Sequence, residues 1–136
     1  MSGVHVRVRA GGEHYALPVE AVTEVAELGD VTPVPGAPAE VIGVRNLRGQ
    51  VIPVIDLAAK LGLDNEGGRE WIVVAQHAER RAGLAVDGIE GIEDLPDAHE
   101  EGGSEYLAGA ALVNGELVGI VRVEALFDAL TPVEDA

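Results

Sequence analysis

Two stretches of this chain repeat each other. Ala16-Leu17-Pro18-Val19-Glu20-Ala21-Val22-Thr23-Glu24-Val25 aligns without gaps on Gly83-Leu84-Ala85-Val86-Asp87-Gly88-Ile89-Glu90-Gly91-Ile92, 67 residues on. The apolar positions Leu17, Val19, Val22 and Val25 recur as Leu84, Val86, Ile89 and Ile92. Gly43 and Gly49 recur as Gly109 and Gly115, and Val51–Leu57 reads against Leu117–Val123, both 66 residues on. Two near-equal offsets mean two copies of one supersecondary unit.

The unit is built of strands. Val4, Val6 and Val8 alternate with His5, Arg7 and Arg9, and after Ala10-Gly11-Gly12-Glu13 a second strand, His14 to Val19, completes a hairpin. Val41–Val44 and Val51–Ile55 are β-branched runs flanking Arg48-Gly49, a second hairpin. Its counterpart turn is Asn114-Gly115, the strongest short hairpin signal. Asp56 caps a short helical stretch, Leu57 to Leu61, which Gly62 stops. Three prolines within Thr32–Pro38 exclude a helix there. Val123–Leu130 reads as a closing helix with Leu126, Phe127 and Leu130 apolar.

The expected fold is therefore all-β: two pseudo-repeated, five-stranded small barrels packed together, with a short C-terminal helix. One domain spans 1–136, its first barrel unit covering about 4–66 and its second about 69–130, with room for strand exchange between them. Alone, either unit buries too little surface, so the two should share an apolar interface. With 47% hydrophobic and only 3% aromatic residues, that interface must be built from Val, Leu, Ile and Ala.

Charge narrows the partners. The 136 residues carry a formal charge of −15, which argues against nucleic acid and anionic membranes. Seven acids and five bases give Met1–Gly62 a net −2, whereas seventeen acids and four bases give Leu63–Ala136 a net −13. Salt dependence of binding is therefore expected of contacts made by the second half. The acids Glu90, Glu93, Asp94, Asp97, Glu100, Glu101 and Glu105 lack the spacing of a calcium loop and read as a solvated linker between strands. No signal peptide or transmembrane run is recognisable, which places the chain in the cytoplasm.

Catalysis has no support. The chain has no cysteine, and His5, His14, His77 and His99 show no metal-ligand spacing. Ser2 and Ser104 lie outside any nucleophile elbow, and Lys60, the single lysine, belongs to no phosphate-binding loop. No cofactor, metal or catalytic residue is expected.

Thr32-Pro33-Val34-Pro35-Gly36-Ala37-Pro38 followed by Gly43-Val44-Arg45-Asn46-Leu47-Arg48-Gly49-Gln50-Val51-Ile52-Pro53-Val54-Ile55-Asp56-Leu57 resembles the signature of the CheW family of bacterial chemotaxis coupling proteins. His14–Val19, Gly83–Ile89 and Tyr106-Leu107-Ala108-Gly109 are also similar to that family, so the resemblance runs from about Val4 to Leu130. It implies two SH3-like barrels and a non-catalytic adaptor that bridges the histidine kinase CheA to the cytoplasmic tips of chemoreceptors. The implied partners are the CheA regulatory domain and receptor tips, with self-association in rings. A related possibility is a CheW-like module in another complex, controlling motility or gene expression. A third, of a different class, is a ligand-binding or hydrolytic barrel using the acidic loop.

The resemblance implies partner contacts at Val22, Glu24, Ile42, Gly43, Asn46, Arg48 and Gly49. Spacing alone gives blander readings. Arg48 is then a solvent-facing turn residue beside a positive-φ glycine; Val22 and Ile42 are core, Glu24 a solvated charge, Gly43 a bulge or close approach. Asn46 and Leu47 are expected to shape the turn. With the family pattern, the Arg48 guanidinium becomes a planar, rigidly placed donor for a carboxylate or carbonyl of a receptor. One departure stands out: Arg122 occupies the place of a capping carboxylate, so the closing helix is expected to start at Glu124.

Overall fold

The computed structural model describes residues 3–63, 68–98 and 105–128. Strands β1 (Gly3–Ala10) and β2 (Glu13–Pro18) form the first hairpin, and a 3-10 turn over Val19–Ala21 leads to β3 (Val22–Glu27). Next come β4 (Val41–Leu47), β5 (Gln50–Asp56) and the helix α1 (Leu57–Lys60). The same series follows as β6 (Trp71–His77), β7 (Arg80–Val86), β8 (Gly88–Leu95), β9 (Leu107–Val113), β10 (Glu116–Val121) and α2 (Val123–Asp128). The proline-rich segment carries no helix.

The two five-stranded sheets run β8-β1-β2-β10-β9 and β3-β6-β7-β5-β4. The second, a run of consecutive strands, is the inserted barrel; the first, interrupted by it in sequence, is the split barrel. Neither coincides with residues 4–66 or 69–130. The repeat runs β1–β5 and β6–β10, and each copy lends its hairpin to the other copy's three strands. At both crossings the linker is short, Val19–Ala21 between β2 and β3 and Asp87 between β7 and β8, and the chain passes directly from one sheet to the other.

The pairings obey the repeat. β2 lies parallel to β10, with Ala16 opposite Ile120, and β7 lies parallel to β5, with Gly83 opposite Val54. Each barrel has an interior cluster, Ala16, Leu95, Ala111, Val118 and Ile120 in the split barrel and Ile52, Val54, Ile72, Val74 and Ala85 in the inserted one. The largest cluster lies between the sheets and joins Val6, Val8 and Leu17 to Ile55, Val73, Leu84, Leu126 and Phe127. The expected interface of aliphatic side chains is thus the main core.

Two local expectations change. α2 begins at Val123, one residue earlier than Glu124, because the Arg122 carbonyl already accepts from Ala125 N–H at 3.1 Å. Residues 129–130 lie outside the described residues. The acidic stretch is no linker at its start: Glu90, Glu93 and Asp94 belong to β8, paired along β1 from Arg9–Gly88 to Gly3–Leu95. Glu100 and Glu101 lie outside the described residues.

Candidate functional site

The β4–β5 turn is positioned by its own chemistry. Arg48 and Gly49 both take positive φ, 53° and 83°, as the right-handed twist of a tight hairpin demands. The Asn46 side-chain oxygen accepts the Gly49 N–H at 3.0 Å and holds the loop. The turn therefore presents Arg48 outward, with 78% of its side chain exposed.

Glu24 reaches the same place from β3. A bulge at Thr23 shifts the β3–β6 register between Val22 and Glu24, and the Thr23 hydroxyl donates to the Val74 carbonyl at 3.3 Å. Bulges re-aim the following side chains. Arg48 Nε donates to both Glu24 oxygens, at 3.3 and 3.2 Å, and Nη2 donates to Oε1 at 3.2 Å. β3 and β4 are the two edges of the inserted barrel, so this ion pair bridges its seam.

Below the turn the seam is closed by backbone. Thr32 exchanges two hydrogen bonds with Val44, each 2.8 Å. A Cβ on Gly43 would overlap the Thr32 carbonyl oxygen and come within 2.7 Å of its carbon, so only glycine permits this approach. The neighbouring Ile42 sits at a register shift between Val41 and Gly43 and packs half-buried on the inserted barrel's interior. Val22 is half-buried against the central core.

The structure thus brings the half-buried Glu24 and the exposed Asn46, Arg48 and Gly49 onto one rim. Gly43 lies buried beneath it, and Val22 and Ile42 turn toward two different apolar clusters. Sequence reasoning missed the charged group at the split barrel. Arg7 is buried there and donates to Glu93 at 2.9 Å, Glu90 at 3.3 Å and Glu116 at 3.2 Å. His14 lies 3.0 Å from Glu90 and 3.4 Å from Glu116, and Arg9 lies 3.9 Å from Glu90. The hydrogen bond to Glu93 holds the Arg7 guanidinium above its ordinary pKa, Glu116 and Glu90 act the same way, and burial opposes them. An alternating valine strand gives no sign that its arginine is interior. Only the pairing of β1 between β8 and β2 does.

The split-barrel rim carries exposed Leu112 and Leu117, paired across the strands that flank the Asn114-Gly115 turn, and Ile92 is exposed on the edge strand β8. Among the described residues no group of three or more metal-ligating side chains could hold a metal ion. No helix there is long and apolar enough to cross a membrane.

The family model for the CheW-like domain matches residues 5–131. The chain belongs to the CheW-like domain family. It is 31% identical over 132 residues to the chemotaxis protein CheW of Rhizobium meliloti, covering 90% of this chain and 85% of that one. The chemotaxis protein CheW of Helicobacter pylori is 32% identical over 126 residues, with 85% and 76% covered. Among solved structures, the scaffolding protein TtCheW from Thermoanaerobacter tengcongensis superposes with a TM-score of 0.82 at 25% identity, over 90% of this chain and 86% of that one. As a CheW-like protein the chain is a non-catalytic scaffold of the chemotaxis type, and its two barrels are the family's SH3-like pair.

Proposed function

We propose that this CheW-like chain works in the cytoplasm as the coupler between chemoreceptor tips and the regulatory domain of the kinase CheA. The observation that carries the reading is the Glu24–Arg48 pair on a glycine-locked turn. An arginine whose side chain is 78% exposed contributes little to the fold, yet three hydrogen bonds to Glu24 hold its fork in one orientation. A preorganised cation on a rigid hairpin suits a receptor carboxylate or helix-terminal carbonyl better than it suits stability.

Val22, Ile42 and Gly43 support the rim from below, and Asn46 and Gly49 set the turn. The apolar Ile92, Leu112 and Leu117 rim of the split barrel is the surface we assign to the kinase regulatory domain and to ring-forming neighbours. Titration of the purified chain with a receptor signalling fragment and, separately, with a CheA regulatory domain tests the proposal. Saturable binding to both is expected, with Arg48→Glu weakening the receptor arm by tenfold or more, about 1.4 kcal/mol. Absence of binding to both partners would falsify the coupling role.

A further inference from the structure

The only lysine of the chain lies where the two barrels meet. Lys60 ends α1, its side chain is only 9% exposed, and its Nζ donates to Glu40 Oε2 at 3.4 Å. The same ammonium lies 5.2 Å from the centre of the Tyr106 ring. Glu40 leads into β4 of the inserted barrel, and Tyr106 leads into β9 of the split barrel.

These two residues are equivalents in the repeat. The Glu40 carbonyl accepts the Asp56 N–H at 2.8 Å, and the Tyr106 carbonyl accepts the Arg122 N–H at 2.7 Å. The lysine therefore stands between matching positions of the two barrels and touches both. Its own counterpart, Leu126, is fully buried in the shared core. The remainder of α1 is apolar against that core through Leu57 and Ala58. Leu63 and Ala58 pack so closely over Gly11 of the β1–β2 turn that a Cβ there would meet them at 3.1 and 3.3 Å. The attraction that holds an aliphatic interface of this kind together is non-directional. A cation held between a carboxylate and an aromatic face is directional.

We propose that Lys60 is a positioning residue: a strut that fixes the relative orientation of the two barrels, and with it the spacing between the Arg48 rim and the Ile92–Leu117 rim. The second consequence rests on the coupling role proposed above, because only a partner or assembly touching both rims senses that spacing.

The absence of native cysteine allows a direct test in the full chain. Spin labels on Val51→Cys and Leu117→Cys, exposed positions on the two barrels, report the inter-barrel distance. The Lys60 background is expected to give one narrow distance peak. Lys60→Met, which keeps the aliphatic stem, is expected to broaden or split it, and Lys60→Arg to restore it. Tyr106→Phe should leave the peak narrow, whereas Tyr106→Leu should broaden it even if Lys60→Met fails to fold. A narrow peak in Lys60→Met or in Tyr106→Leu overturns the strut, as does an equally broad peak in Lys60→Arg, which would reduce the lysine to packing. The affinity of the unlabelled chain for a receptor fragment or kinase domain is a separate reading. If the distance broadens and neither affinity falls, the strut stands and the partner spanning both rims does not.

Discussion

The two barrels share one backbone plan and use charge in opposite ways. Their hairpin turns match closely: Arg48 and Asn114 have φ of 53° and 50°, and Gly49 and Gly115 have φ of 83° and 85°. In the inserted barrel the turn residue is a cation and meets Glu24 on the surface. In the split barrel both partners of that pair are missing, since Asn114 replaces Arg48 and Gly91 replaces Glu24. The cation has moved inside instead, as Arg7, tied to three glutamates from β8 and β10. One barrel therefore spends its arginine on the surface and the other on its own closure.

The largest expected effect follows from that contrast. Arg7→Met removes the buried partner of three glutamates that remain in place, and breaking a buried pair by deleting one member is strongly destabilising. The glutamates are partly exposed, so a loss of about 3 kcal/mol in urea unfolding is expected. A loss no larger than that of an Arg48 variant would erase the distinction between the two barrels.

Second in size is Gly43→Ala. The inserted barrel closes by letting the Thr32 carbonyl lie against Gly43, and a methyl group there forces the two backbones apart. Overpacking at a point with no flexible side chain to yield should cost about 2 kcal/mol, read from the same unfolding curves. Retained stability would mean that the Thr32–Val44 bridge opens freely.

How far these features could be read in advance depends on their range along the chain. The β1–β2 and β4–β5 hairpins were legible because period-two alternation and turn residues are local signals. The turn chemistry of Asn46, Arg48 and Gly49 was legible for the same reason. Strand exchange between the barrels could be allowed for, but which strands cross was not legible. The crossing is set by parallel ladders, Ala16 against Ile120 and Gly83 against Val54, that leave no mark in either strand. Arg7 was hidden likewise, because its three glutamates lie 83 to 109 residues away. Glu24 could be singled out by family likeness, but its contact with Arg48 exists only once β3 and β4 become the facing edges of a closed sheet.

A smaller effect, of opposite sign, comes from the helices that end the two repeats. Asp56 accepts the Ala59 N–H at 3.4 Å and pairs with Arg69 at 3.0 Å, so α1 is capped and anchored. At the matching position Arg122 supplies only its carbonyl to α2. Arg122→Asp should therefore stabilise the chain, by about 0.5–1 kcal/mol in the same urea series, by restoring a cap and placing a negative charge at the helix N-terminus. No gain would show that α2 is held by Leu126 and Phe127 alone.

Smallest for the fold, and most telling for the role, is Arg48. Its pair with Glu24 is exposed, so Arg48→Glu should shift unfolding by less than about 0.5 kcal/mol while weakening receptor binding. Exchanging the two charges, Glu24→Arg with Arg48→Glu, separates two meanings of the pair. If its only task were to close the seam between β3 and β4, the exchanged pair would serve, and stability and binding would both return to the parent values. If the guanidinium must project from the turn itself, where Asn46 and Gly49 fix its origin, stability returns and binding does not. The second outcome is expected, because an arginine launched from β3 at residue 24 starts from a half-buried site and cannot reproduce the outward reach of the turn. Recovery of binding by the exchanged pair would place the function in the ion pair and remove it from the hairpin, and the two barrels would then differ in composition but not in task.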